Sequence, residues 1–460
     1  MDTKPITLDW GRGLLEVNVP VWADILTMPT VVAVSDPADA IERALSHPIG
    51  CPGLEQIVAA ASKPASELQV AVTVSDNTRP VPYNSDRGDG ILMPILRCLH
   101  RAGVRARNVV IVVGTGTHQA TSARWKLKAF GKAVTDSYRI LDHDARASDL
   151  VEIGSVRGVN VRINQQFMNA DLRIATGLVE PHFMAGVSGG RKAICPGLVN
   201  LEATRLFHGP GFMAHPSAAS LVLDGNPCHD FALEVARRVG VHFSVNAVLN
   251  RDMQFAGVFA GALEDAHRRA VEMVHRHSLV RIEREYDVVL THGGEVAVNH
   301  YQAVKAAHGS IPVVKQGGIV VLAAHNGDPE PVGNEDYKRV MAILMDCEPG
   351  KFTDELRRPE WEFIPDQWDA QKWDQFFDRI DSFRNLIYCT LGIEPNQLAG
   401  LPLLSGWQLV PAGMADINQM VQNALEFALK KAASTVNARP SLAVVREGPY
   451  AVFSSIVGNK

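Results

Sequence analysis

The segment Gly177-Leu-Val-Glu-Pro-His-Phe-Met-Ala-Gly-Val-Ser-Gly-Gly-Arg-Lys-Ala-Ile-Cys-Pro-Gly197 gathers His182, Ser188, Gly189, Gly190, Arg191 and Lys192 directly after an apolar run, Leu172 to Ala175. Small residues let main-chain amides approach an anion, and adjacent cations hold it. A histidine ten residues from a lysine sets a proton carrier near an amine able to bond covalently to a cofactor. Taken singly, His182 reads as a satisfied structural histidine, and Arg191 and Lys192 as a helix cap. Two glycines beside two cations favour an anion cradle, because glycine is otherwise costly to backbone order.

Other clusters follow strand-like runs in the same way. In Ser75-Asp76-Asn77-Thr78-Arg79-Pro80, Asp76 can accept from ribose or ring groups, and Arg79 can fork onto a carboxylate or phosphate. Standing alone, this motif is an Asp/Asn turn with a surface arginine. Gly114-Thr115-Gly116-Thr117-His118 is too short for a Walker loop and lacks the third glycine of a dinucleotide fingerprint. His118 nevertheless ends a tight turn where a general base belongs. His208 closes a short helix that Asn200 opens, and it reads either as a helix-dipole contact or as a metal ligand. No second His or Cys stands at metal-site spacing, so a single histidine ligand makes sense only if a cofactor supplies the rest. Tyr301, Gln302 and Lys305 share a helical stretch that could grip an oxygenated, anionic substrate or could be a plain amphipathic surface.

Positioning these groups requires a particular framework. Leu68–Val74, Val109–Val113, Asp287–Leu290 and Gly318–Ala324 are continuous apolar runs, each ending in small and polar residues, as buried parallel strands do. Helical patterns lie between them, at Gly90–Ala102 and from the N-cap Asp416 to Ala433. The alternation predicts an α/β fold of two α/β domains with largely parallel sheets and an interdomain active-site cleft. Residues 1–280 form the expected cofactor-binding and catalytic domain, and residues 281–460 a C-terminal α/β domain with substrate contacts. Leu263–Arg284 reads as an exposed connecting helix, and Asp346–Asp381 as a helical insert or lid.

At 460 residues, two domains are the default. The charged fraction of 21% and net charge of −5 give no general reason to expect nucleic acid or a membrane as partner. Six scattered cysteines without a Cys-x-x-Cys pair exclude a zinc ribbon and read as reduced thiols. With no basic-then-apolar start and no run near the ~20 residues of a membrane span, a cytoplasmic location is expected.

Taken in order, Asp76-x-x-Arg79-Pro80, Gly-Thr-Gly-Thr-His118, Glu180-Pro-His182 with Ser-Gly-Gly-Arg-Lys192, His208, Tyr301-Gln302-x-x-Lys305 and Asp366-Gln-Trp368 resemble the lactate racemase family. These are nickel-pincer-nucleotide-dependent 2-hydroxyacid racemases and epimerases, and the likeness spans roughly residues 10 to 410. The resemblance implies an isomerase that inverts C2 of a 2-hydroxyacid by reversible hydride transfer. Its cofactor would be a nickel pyridinium-3,5-bisthiocarboxylate mononucleotide, and cofactor-synthesis enzymes would be maturation partners. It also implies His118 and His182 as catalytic residues and His208 as the nickel ligand. Asp76, Thr78, Gly114, Thr115, Gly116, Ser188, Gly189, Gly190, Arg191, Lys192 and Trp368 would contact the cofactor. Arg79, Tyr301, Gln302 and Lys305 would contact the small-molecule substrate, and Lys192 could tether the cofactor. The stretch Glu295–His300 departs from the family pattern, as do His308 and Gln119, which favours a larger or more polar hydroxyacid than lactate. Two alternatives are a nicotinamide-type 2-hydroxyacid dehydrogenase, disfavoured by the absent Gly-x-Gly-x-x-Gly, and a non-catalytic nucleotide-binding protein. Homo-oligomerisation stays open.

Overall fold

The computed structural model describes residues 2–84, 90–413 and 415–455. The chain divides into two compact units, Thr30–His277 and a discontinuous one made of Met1–Pro29 with Ser278–Lys460. The chain opens with the antiparallel hairpin β1 (Thr3–Asp9) and β2 (Leu14–Pro20), then β3 (Asp24–Leu26). β3 pairs in parallel with a strand near the C-terminus, Ala443 opposite Asp24. The first residues therefore build onto the C-terminal sheet rather than onto the unit Thr30–His277, so the expected boundary of 1–280 does not hold at its N-terminal end. A three-residue strand has no periodicity of its own, and its partner lies at the other end of the chain.

In the unit Thr30–His277 the main sheet is built from β4 (Val70–Val74), β5 (Val109–Val113), β6 (Arg139–Asp142), β9 (Leu172–Leu178), β12 (Phe243–Leu249) and β13 (Phe255–Gly261). Two small hairpins lie outside it, β7 (Val151–Val156) with β8 (Val159–Ile163) and β10 (Pro181–His182) with β11 (Gly186–Val187). The strand order is β13-β12-β9-β4-β5-β6, parallel at every pairing except the antiparallel β12 and β13. Every residue of β4 is buried, as its unbroken Val-Ala-Val-Thr-Val run requires. The chain moves from β4 outward to β5 and β6, then returns to β9 on the other side. The β4/β9 boundary is thus a topological switch point, where loops diverge and leave a crevice beyond the carboxyl ends of the strands.

The helix Leu263–Ser278 corrects the expectation of an exposed connector. Ala266, His267, Ala270, Val274 and His277 are buried on one face, and Arg268, Arg269 and Arg276 are exposed on the other. The dense arginines mask a three-to-four-residue apolar period.

The second unit carries β14 (Leu279–Ile282), β15 (Tyr286–His292), β16 (Val314–Ala323), β17 (Leu386–Cys389), β18 (Leu404–Ser405), β19 (Leu442–Val445) and β20 (Val452–Ser455). Its main sheet, β18-β17-β16-β15-β19-β3, is parallel throughout. The helix Ile417–Ala433 starts where Asp416 accepts from the main-chain nitrogens of Asn418 and Gln419, at 2.8 and 3.3 Å. The helix Gln367–Ile380 lies in the region read as an insert or lid, but it is a core element: Trp373, Phe376, Phe377 and Ile380 are fully buried. Its aromatic residues pack inward: Trp373 stacks on His300 and on Phe377, and Phe377 meets Phe383 edge-on. Among the described residues no helix is long and apolar enough to cross a membrane.

Candidate active site

Three loops leave the carboxyl ends of β4, β5 and β9, and each brings one functional group to the same edge of the sheet. The β4 loop supplies Asp76, whose buried carboxylate accepts from Thr78 through both the main-chain nitrogen (3.1 Å) and Oγ1 (2.6 Å). Its other oxygen, Oδ2, lies 2.6 Å from Nδ1 of His118, which the β5 loop supplies. Burial pushes the Asp76 carboxyl up, but the charge and hydrogen bond of His118 and the Thr78 contacts outweigh it and hold it below the usual carboxylate range. An ionised carboxylate behind an imidazole fixes its tautomer and favours proton uptake on the far nitrogen.

The β9 loop supplies His182 through the short hairpin of β10 and β11. Nδ1 of His182 accepts from the main-chain nitrogens of Met184 and Ala185, each at 3.2 Å. Nε2 lies 2.8 Å from Nζ of Lys192. Lys192 also stands 5.4 Å from the centre of the Phe207 ring, and that ring meets His208 edge-on at 4.7 Å. His208 caps the helix Leu201–Phe207, and its imidazole is held neutral, well below the ordinary range. Burial is the main cause, reinforced by the Lys192 and His118 side chains, so the ring presents a lone pair rather than a charge. His118, His182, Lys192 and His208 therefore belong to one neighbourhood.

The remaining predicted residues divide into those facing the chemistry and those holding the loops. Arg79 is paired with Glu180, both largely buried, which ties the β4 loop to the signature segment. Ser188 zips that segment closed: its Oγ donates to Leu178 O at 2.7 Å and accepts from Glu180 N at 3.0 Å. Gly114, Thr115 and Gly116 form the turn before His118, where Gly116 N donates to Gly197 O at 3.1 Å and Thr115 Oγ1 to His143 O at 2.5 Å. Gly189 and Gly190 both have positive φ, and a Cβ on Gly190 would sit 2.5 Å from the His267 ring.

Arg191 faces inward, unlike the cradle expected of it. Its guanidinium is fully buried and donates to the carbonyls of Val187 (2.9 Å) and Ala185 (2.6 Å), a clamp that shapes the loop. Burial lowers its pKa to about 9. Two positioning residues were missed in the sequence: Asn246, whose Oδ1 accepts from Gly190 N at 3.0 Å, and His267, whose Nε2 lies 3.0 Å from Ser188 O. Nothing local in the sequence marks either of them.

In the other unit, Tyr301, Gln302 and Lys305 lie on the helix His300–Gly309, capped by Asn299. Tyr301 Oη accepts from the indole nitrogen of Trp368 at 3.1 Å. Burial, followed by the nearby Asp369 and Asp366 carboxylates, drives the Tyr301 phenol well above its usual range.

Among the described residues, no three His, Cys, Asp or Glu side chains are arranged to hold a metal ion. A neutral His208 beside a lysine fits a metal that reaches the protein through one imidazole and takes its other donors from an organic cofactor.

The largely parallel sheets and the imidazoles gathered at the switch-point edge of one of them give an α/β protein with a candidate active site. Residues 10–220 match the lactate racemase N-terminal domain. The chain is 32% identical over 337 residues to a lactate racemase of Thermoanaerobacterium thermosaccharolyticum, covering 72% of this chain and 75% of that one. To a lactate racemase of Lactiplantibacillus plantarum it is 29% identical over 367 residues, covering 79% and 82%. The lactate racemase apoprotein structure from T. thermosaccharolyticum superposes with a TM-score of 0.82 at 27% identity, covering 98% of this chain and 100% of that one. The chain belongs to the lactate racemase family, a family of isomerases.

Proposed function

We propose that this protein is a 2-hydroxyacid racemase or epimerase that inverts C2 with a nickel-pincer nucleotide bound at the carboxyl edge of the β4–β5–β9 sheet. When bound at this edge, the nucleotide would supply a reversible hydride acceptor for C2. One site histidine removes the hydroxyl proton, and the other returns a proton once the planar keto acid has turned over. The pairing of His118 with Asp76 and of His182 with Lys192, beside a neutral His208, carries this reading. His208 is the proposed nickel ligand, and Lys192 stands where an amine could tether the nucleotide. Arg79, held by Glu180, binds the substrate carboxylate. The departures around Glu295–His300 favour a substrate larger or more polar than lactate.

The test is production alongside the cofactor-synthesis enzymes, followed by chiral separation of products from a panel of single-enantiomer 2-hydroxyacids. Inversion of one panel member, lost in His118→Ala and in His182→Ala with nickel still bound, is expected. Keto-acid accumulation that depends on added NAD would instead establish a dehydrogenase.

A further inference from the structure

The edge strand β6 carries none of the groups assigned to the chemistry, yet its carboxyl end grips the loop that carries His118. Asp142, the last residue of β6, lies opposite Val113, the last residue of β5. His143 follows it, and His143 N donates to Val113 O at 2.9 Å. These two consecutive residues therefore stand beside the point where the β5 loop departs.

Each of them takes one side of that loop. Before the imidazole, Thr115 Oγ1 donates to His143 O at 2.5 Å. Thr115 O in turn accepts from His118 N at 2.9 Å, so a grip on Thr115 reaches His118 through one tight turn. After the imidazole, Asp142 Oδ1 accepts from Thr121 twice, from the main-chain nitrogen at 3.1 Å and from Oγ1 at 2.5 Å. Thr115 and Thr121 lie three residues before and three residues after His118. An acid–base group works only when held within about 0.5 Å of its productive place, and a loop fastened on one side alone would swing about that side.

The gripping residues are themselves anchored. Asp142 Oδ2 pairs with Lys126, on the helix Ala123–Phe130, and both side chains are largely buried. The buried His143 ring has Nε2 2.9 Å from Val199 O. The ion pair and the loop contacts use different oxygens of Asp142, so substitution can separate them.

We propose that Asp142 and His143 are the positioning residues of His118: the end of β6 clamps its loop on both sides and so sets where the imidazole stands. The clamp itself does not depend on what the imidazole does, whereas its effect on turnover rests on the racemase reading.

The experiment compares wild type with Asp142→Ala, Thr121→Val, Thr121→Ser and Lys126→Met. Asp142→Ala removes both contacts to Thr121 together with the ion pair. Thr121→Val removes only the Oγ1 contact, and it replaces Asp142→Ala if that variant misfolds. Thr121→Ser keeps both contacts, and Lys126→Met removes the ion pair alone. The first readout is amide hydrogen exchange over residues 114–121 in the full-length, cofactor-free protein. Exchange there should quicken at least about tenfold in Asp142→Ala and measurably in Thr121→Val, as local opening becomes easier. Lys126→Met and Thr121→Ser should match wild type. Unchanged exchange in both Asp142→Ala and Thr121→Val would overturn the clamp, and so would equal quickening in Lys126→Met.

The second readout is inversion by protein matured with the cofactor. Asp142→Ala should lower kcat about 10²-fold, as small misplacements of a reacting group do, with KM within about threefold of wild type and nickel content unchanged. Thr121→Val should lower kcat about tenfold, the worth of one well-made hydrogen bond, and Thr121→Ser should restore it. Faster exchange with kcat unmoved would overturn the positioning role, and so would a loss in Lys126→Met as deep as in Asp142→Ala. Faster exchange in a protein that inverts no hydroxyacid, wild type included, would sink the racemase reading and leave the clamp standing.

Discussion

Asp76 and His118 are 42 residues apart in sequence, yet Oδ2 of one lies 2.6 Å from Nδ1 of the other, across the adjacent strand ends of β4 and β5. Replacing the carboxylate while keeping its shape should therefore act on the imidazole. Asp76→Asn is expected to lower kcat for inversion by about 10²–10⁴-fold, the usual worth of an oriented acid–base group. A variant within twofold of wild type would mean that His118 does not depend on Asp76.

The same carboxylate should leave a mark on stability. Its folded pKa lies below the ordinary 3.8, so the folded state binds fewer protons than the unfolded state in that range. Its contribution is present above about pH 4 and lost as pH falls through the folded pKa. Thermal unfolding followed from pH 7 to pH 3 should show a steeper loss for wild type than for Asp76→Asn. Parallel curves would contradict the assigned shift.

His300 offers the opposite case of a base kept neutral. Burial lowers its pKa to about 3, with Nδ1 2.8 Å from Tyr337 Oη and the ring stacked on Trp373. Below the ordinary value of 6.5 the unfolded chain takes up a proton that folded His300 refuses, so stability falls as pH falls towards 3. His300→Phe should remove up to about 1.4 kcal/mol per pH unit of that slope, read from urea unfolding at pH 7 and pH 5. An unchanged slope would show that His300 is protonated in the fold.

Arg191 tests the difference between a clamp and a cradle. Arg191→Met leaves the buried carbonyls of Val187 and Ala185 without a donor and should destabilise the protein by about 3 kcal/mol or more. Arg191→Lys should rescue little, because one ammonium cannot reproduce the fork. Denaturant unfolding of the cofactor-free protein separates the two roles, since a residue that only held the cofactor would leave that midpoint unmoved.

Much of this was legible in the sequence for identifiable reasons. β4 and β5 announced themselves because a strand buried on both faces needs an unbroken apolar run, and the groups ending such strands converge in any parallel sheet. His118 and His182 were visible on that ground. Their partners were not: nothing local pairs Asp76 with His118, and adjacent cations such as Arg191 and Lys192 look alike until the backbone turns one inward. His267 was hidden among exposed arginines, and Asn246 in the middle of a strand. β3 was unreadable because three residues carry no period.

The central claim is that hydrogen leaves C2 and comes back to it without entering the solvent pool. The most direct measurement incubates the matured protein with one enantiomer of the turned-over hydroxyacid carrying deuterium at C2, and reads configuration and label together in the product. The account predicts the opposite enantiomer with its deuterium retained. Inverted product carrying protium from water would contradict it, because that pattern belongs to proton abstraction from carbon.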